Sequence, residues 1–288
     1  MLQITTDHHV RILTLDRPEA RNAFSQALYR ATGEALDAAA ADDDVRVVVI
    51  TGSPNFSAGT DLNEMARLAA GTFEGDGGGF NVLLEALERF PKPLLAAVEG
   101  AAVGIGFTML LHVDIAIAAR DARLRTPFSD MGVPPEAGSS VLLAQRIGWQ
   151  AAAEVLLTSR WITGEEAVKL GLALRCAEPG HSLDDALALA AAIARQDPWA
   201  TRQIKALMLS GRGDVAVAAR HRESAAFAEL FRARRGAAVG PGHAGTGLPP
   251  AGRFRSWPVR RSPTASHVCW RLPACSPCAA RPPRWPRT

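Results

Sequence analysis

The chain has 288 residues, 48% of them apolar, which is long enough to bury one sizeable core. Its formal net charge of +3 hides an uneven distribution: residues 233–288 hold 10 arginines and no acid or lysine, so taking those 10 from 32 bases leaves 22 against 29 acids, a net of −7 for residues 1–232. An acidic body argues against a nucleic-acid-binding surface, no apolar run reaches membrane-spanning length, and the opening MLQITTDHHVRI lacks the basic-then-apolar pattern of a secretory leader, so a cytoplasmic protein is expected.

Residues 10–15 alternate well enough for a strand, closed by Asp16-Arg17-Pro18. Ser25 then caps an amphipathic helix over 26–40, whose Leu28, Ala31, Ala35, Leu36 and Ala39 recur at helical spacing. A strand over 45–51 (VRVVVIT) follows. After it, GSPNFSAGTDLNEM places Gly59 just ahead of a helix over 61–68 led by Asp61. Residues 71–79 hold five glycines and one large apolar side chain, Phe73, which predicts a mobile loop before a helix over 81–90.

The stretch 93–114, PLLAAVEGAAVGIGFTMLLHVD, organises the rest. Residues 94–98 are a continuous apolar run, as in a strand covered on both faces, and 107–111 are apolar all round, as in a buried helix. Between them Gly100, Gly104 and Gly106 permit positive φ and close approach of the backbone. A turn of this kind can aim unpaired amides at a developing negative charge, although a tight connection without a ligand fits these glycines equally well.

Beyond Asp114 come short strands over 115–118 and 123–126, then PFSDMGVPPEAGSS, where Pro134 and Pro135 fix an extended path and Glu136 opens a helix over 137–147. A glutamate there also suits the helix dipole. The chain is strongly helical from 150 to 232, with Thr163 and Glu166 forming a capping box and helices over 184–194, 198–209 and 215–231. Trp149, Trp161 and Trp199 are expected to pack against these helices.

Residues 233–288 form a different kind of sequence, with 10 of the 19 prolines, three of the six tryptophans and no helical periodicity. Their composition suits a GC-rich message read out of frame, with a genuine basic tail as the alternative. His267, Cys269, Cys275 and Cys278 supply donor types for zinc at a spacing unlike a zinc ribbon or finger. Cys176, the one cysteine in the body, fits a reducing compartment.

Four blocks in order, LTLDRPEARNAF, VVVITGSPNFSAGTDL, AAVEGAAVGIGFTMLLHVDIAIAA and PFSDMGVPPEAGSSVLL, resemble the enoyl-CoA hydratase/isomerase (crotonase) superfamily over most of residues 1–232. The resemblance implies an α/β fold of stacked ββα units with a helical C-terminal part. The expected division is a core over 1–200, C-terminal helices over 201–232 and the anomalous tail over 233–288.

The resemblance further implies an acyl-CoA thioester whose carbonyl is held by the backbone amides of Thr60 and Ile105. Coenzyme A belongs to the substrate, and no separate cofactor is expected. The backbone around Ala20 and Arg21 is expected along the nucleotide. Ala58, Gly59, Asp61, Leu62, Gly104, Gly106, Thr108 and Phe128 are expected around the rest of the ligand.

Family hydratases use two glutamates, and the matching positions here hold Thr108 and Phe128, neither of which is a base. Resembling isomerases use one glutamate in a Pro-Glu-x-x-Ser-Ser setting, where this chain has Glu136. Isomerisation of 3-enoyl-CoA to 2-enoyl-CoA is therefore expected, with Glu136 carrying the proton. The alternatives are dienoyl-CoA isomerisation, weak hydration, or a non-catalytic coenzyme A- or RNA-binding relative. The expected assembly is a homotrimer or a dimer of trimers. Asp114 reads as structural, and Ser139 and Ser140 lack a nearby histidine in sequence for a hydrolase triad.

Overall fold

The structure, a computed structural model, describes residues 1–238. The candidate zinc donors and residues 239–288 of the anomalous tail lie outside the described residues. In chain order the elements begin with β1 (Leu2–Asp7), β2 (Val10–Leu15), α1 (Gln26–Ala41), β3 (Val47–Gly52), α2 (Leu62–Ala70) and α3 (Gly79–Arg89). The central part is β4 (Leu94–Val98), β5 (Ala101–Val103), α4 (Ile105–Thr108), β6 (Ile115–Ala119), β7 (Arg123–Arg125) and α5 (Phe128–Met131). Then follow α6 (Ser139–Ile147), α7 (Trp149–Thr158), β8 (Ile162–Thr163), α8 (Gly164–Leu170), β9 (Arg175–Ala177), α9 (Ser182–Ala194), α10 (Pro198–Ser210) and α11 (Gly213–Ala238).

Among the described residues one sheet runs β1-β2-β3-β4-β6-β9, parallel throughout except for the β1-β2 hairpin. A smaller sheet runs β5-β7-β8. The apolar runs of β3 and β4 are buried at every position because the large sheet is covered on both faces. Strand alternation sorts the side chains. Val48, Ile50, Leu94, Ala96 and Val98 join the main core with α1 and α3, whereas Val47, Val49, Leu95, Ala97 and Ile117 face α9 through Ala186, Ala190 and Ala194. Each large aliphatic side chain so buried stabilises the fold by about 1.5–3 kcal/mol.

Several expectations are corrected. β1 was not foreseen, because its burial pattern is almost wholly exposed and apolar periodicity has little to report there. The predicted buried helix over 107–111 is the end of α4 followed by a 3-10 turn, Met109–Leu111. Trp149 and Trp199 are 78% and 70% exposed rather than packed. Trp161, 40% exposed, lies beneath the guanidiniums of Arg123 and Arg125, 5.2 and 5.3 Å from its ring centre. The last helix continues past the expected end at 231 into Ala238. Among the described residues no helix is long and apolar enough to cross a membrane.

Candidate active site

Because β3 and β4 are parallel neighbours, the segments leaving their C-terminal ends emerge side by side. The Ser57 amide donates to the Ala101 carbonyl, and the Val103 amide to the Ser57 carbonyl, each at 2.9 Å. Gly59 (φ 98°) and Gly104 (φ 54°) come together where these segments turn. A Cβ on Gly104 would lie 3.8 Å from Gly59 Cα, and one on Gly59 would lie 2.9 Å from the Val103 carbonyl oxygen. Both turns therefore need the positive φ that glycine allows, and Gly59 needs its closeness as well.

The residues that follow are Thr60 and Ile105. Phe24 donates to the Gly59 carbonyl (2.7 Å) and accepts from the Asp61 amide (2.8 Å), so alternation turns the intervening Thr60 amide to the other side. Ile105 opens α4, whose first amides have no acceptor within the helix. Neither the Thr60 nor the Ile105 N–H donates to an acceptor among the described residues.

One helical turn beyond Ile105, the Thr108 hydroxyl donates to Glu136 Oε1 at 3.1 Å. Glu136 is partly exposed as a residue, yet its carboxyl lies among protein atoms. That desolvation pushes its pKa up to about 7, against the Thr108 hydrogen bond and with help from the nearby negative Glu223. The predicted helix start is corrected here. Ala137 (φ 58°) and Gly138 (φ 72°) are left-handed and α6 begins only at Ser139, so Glu136 sits in a loop and does not serve the dipole. Phe128, at the start of α5, is buried, as is Thr108.

Sequence reasoning missed Tyr29, the only tyrosine in the chain. It is fully buried, its ring stacks on Phe24 with centroids 4.8 Å apart, and its hydroxyl lies 2.8 Å from Thr60 Oγ1. Burial first, and the charge of Glu136 next, raise its pKa well above the ordinary phenol value, which places phenol and carboxyl in one neighbourhood. A single buried tyrosine beside an amphipathic helix cap was the available signal, but its partner is 31 residues away.

Asp61 is the N-cap of α2, accepting from the Asn63 and Glu64 amides at 3.0 and 3.2 Å, and it pairs with Arg17 at 2.8 Å. Burial opposes its charge, but Arg17 and those amides outweigh burial and hold its pKa below the usual range. Leu62 opens the same helix. Ala20 ends a 3-10 turn, and the Arg21 carbonyl accepts from the Ala58 amide at 2.9 Å, so the PEARNAF segment is stitched to the first glycine turn. Gly106 packs on Ser57, where an added Cβ would lie 2.9 Å from the Ser57 carbonyl oxygen.

Asp114 is structural, accepting from the Leu94 amide and pairing with Lys205 Nζ at 2.6 Å. His112 donates through Nε2 to the Ala137 carbonyl at 2.8 Å, and burial lowers its pKa to about 4, so the ring is neutral. The buried Ser139 hydroxyl has no hydrogen-bond partner among the described residues, and no serine–histidine pair forms with it.

Fold and site define a mixed α/β protein in which two adjoining glycine turns carry main-chain donors unpaired among the described residues, and the helix after the second turn bonds a desolvated carboxyl through Thr108. The family described as "Enoyl-CoA hydratase/isomerase" matches residues 5–238, and the chain belongs to it. The chain is 37% identical over 205 residues to the 2,3-dehydroadipyl-CoA hydratase of Escherichia coli (strain K12), covering 71% of this chain and 80% of that protein. The crystal structure of enoyl-CoA hydratase EchA8_6 from Mycobacterium marinum is similar at TM-score 0.69 and 47% identity, over 73% of this chain and 99% of that one. An enoyl-CoA hydratase/isomerase from Pseudoalteromonas atlantica T6c is similar at TM-score 0.75 and 31% identity, over 84% and 99%.

Proposed function

We propose that this chain converts 3-enoyl-CoA to 2-enoyl-CoA, with Glu136 as the single proton carrier and the Thr60 and Ile105 amides holding the thioester oxygen. The observation that carries the reading is Glu136, whose carboxyl is raised to about 7 and bonded to Thr108, while the other two positions of interest hold threonine and phenylalanine. A base with a pKa near neutrality takes a proton and returns it with little bias.

Removing the α-proton of a 3-enoyl thioester places negative charge on the carbonyl oxygen, where preorganised N–H donors stabilise it. Glu136 takes that proton and delivers it to the γ-carbon of the dienolate, so the double bond moves into conjugation and the carboxylate is regenerated. Hydration would need a second carboxylate, and Phe128, buried at the start of α5, supplies none. The machinery of this reaction is one carboxyl and two amides, with coenzyme A entering as part of the substrate. The segments holding Ala20, Arg21, Ala58, Asp61 and Leu62 are proposed to receive the coenzyme A portion.

A second reading, hydration of a 2-enoyl-CoA, is favoured by the relatives named as hydratases. Incubating the wild type and Glu136→Gln with 3-enoyl-CoA and 2-enoyl-CoA and resolving the products separates the two. The expected result is isomerisation by the wild type, lowered ~10²–10⁴-fold in Glu136→Gln. Undiminished turnover in that variant overturns the base, and faster hydration than isomerisation overturns the reaction.

A further inference from the structure

The last described helix reaches back to the candidate base. Glu223 on α11 is 5% exposed, and its carboxylate accepts from the Gly138 amide at 2.7 Å and the Ser140 amide at 2.9 Å. No ion pair with Glu223 forms among the described residues. A carboxylate buried without a cation is costly unless amides compensate it. Here they do, because α6 has no side-chain cap of its own and Glu223 supplies one from across the fold.

These amides belong to the loop that carries Glu136. Between Glu136 and α6 the chain passes through two left-handed residues, Ala137 and Gly138, and a left-handed alanine costs about 1 kcal/mol or more. The His112 ring holds the Ala137 carbonyl, while Glu223 holds the amides on either side of Ser139. The strained path persists because neighbouring elements pin it on both sides.

We infer that Glu223 is a positioning residue for Glu136: by gripping the Gly138 and Ser140 amides, α11 sets where the Glu136 carboxyl stands relative to Thr108 and the amide of Ile105. The inference rests on Glu136 being the base. The charged group acting on Glu136 is Glu223 from α11, with Thr108 donating from α4; Tyr29 from α1 feels the charge of Glu136, and the neutral His112 bonds the Ala137 carbonyl next to it. Losing the Glu223 charge therefore lowers the proton affinity of Glu136, and losing its grip also displaces it.

The test is exchange of the α-protons of butyryl-CoA with D2O between pH 5.5 and 9, using the full chain as wild type, Glu223→Gln, Glu223→Ala and Glu136→Gln, with folding checked by thermal melts. Exchange needs the base and the amides but no particular onward reaction. Glu223→Ala is expected to lower the alkaline plateau of kcat ~10–100-fold with KM within about twofold. Glu223→Gln keeps one acceptor and loses the other, so it is expected to recover part of that plateau while its acid limb moves down by about half a pH unit.

An unchanged plateau in folded Glu223→Ala, or an unmoved acid limb in Glu223→Gln, overturns the inference. Should Glu223→Ala fail to fold, the Glu223→Gln profile decides. Wild-type exchange without conversion of 3-enoyl-CoA counts against the isomerase reading alone. Exchange undiminished in Glu136→Gln, or absent from the wild type, removes the base and this inference with it.

Discussion

The turn after β3 and the turn after β5 present equivalent main-chain groups, both held by backbone bonds, but the first carries side-chain supports that the second lacks. Side chains hold the first: Tyr29 reaches the Thr60 hydroxyl, Asp61 caps α2, Arg17 pairs with Asp61, and the Ser57 hydroxyl accepts from the Gly59 amide at 3.1 Å. Backbone and missing side chains hold the second. The Gly104 amide donates to the Arg125 carbonyl at 3.0 Å, no side chain caps α4, and Gly106 lies against Ser57. Added volume is resisted in both, since a Cβ on Gly59 or on Gly106 would lie 2.9 Å from a carbonyl oxygen, so the turns differ in their supports: side chains that can be removed one at a time brace the first, and close-packed backbone the second.

Between the two turns, the larger expected effect on rate is on the second. Gly106→Val puts carbon where even a Cβ would be 2.9 Å from the Ser57 carbonyl oxygen, so α4 must shift. If Ile105 is a donor to the thioester, kcat falls ~10²–10³-fold. Steady-state rates on 3-enoyl-CoA check this, and an unaltered kcat breaks the view that α4 fixes the donor.

Next comes Glu136, which stands against that helix. Its folded pKa of about 7 lies above the ordinary 4.5, so the native state holds the proton more tightly than the unfolded chain. The stability this confers is full below the ordinary value and is lost as pH rises toward 7. Glu136→Gln is accordingly expected to be more stable than wild type by about 1–3 kcal/mol at pH 8 and nearly equal at pH 4.5. Urea melts at both values measure it, and equal stability at pH 8 argues that the carboxyl is not desolvated.

On the first turn, Asp61→Ala removes the cap of α2 and the Arg17 partner and is expected to cost about 1–2 kcal/mol of stability, read as a lower melting temperature. The smallest effect is expected from Tyr29→Phe, which deletes one hydrogen bond worth about 1 kcal/mol, or roughly a fivefold loss in kcat. Thr60→Val should do the same, and the double variant no more than either alone. Additive losses would show that the phenol acts elsewhere than through Thr60.

Much of this arrangement is local and was legible beforehand. Continuous apolar runs marked β3 and β4, glycines marked both turns, and Ser25, Asp61 and Thr163 marked three helix starts that the structure confirms through their hydrogen bonds. Glu136 was singled out by its Pro-Glu setting, but the conformation around it was misread, because Ala137 gives no sequence sign of a left-handed backbone. The exposed tryptophans show the same limit: aromatic character predicts burial only where a neighbouring element is at hand to supply it.

The amino-acid order by itself determined the α/β strand-turn-helix units and the two glycine turns, since each depends on residues adjacent along the chain, and it singled out Glu136 through the family resemblance of its Pro-Glu setting. Only the tertiary structure decided that Tyr29 meets Thr60 and that Glu223 grips the loop of Glu136. These contacts span 31 and 85 residues, and hydrogen bonds over such separations exist only once packing has brought distant elements together and shut out water.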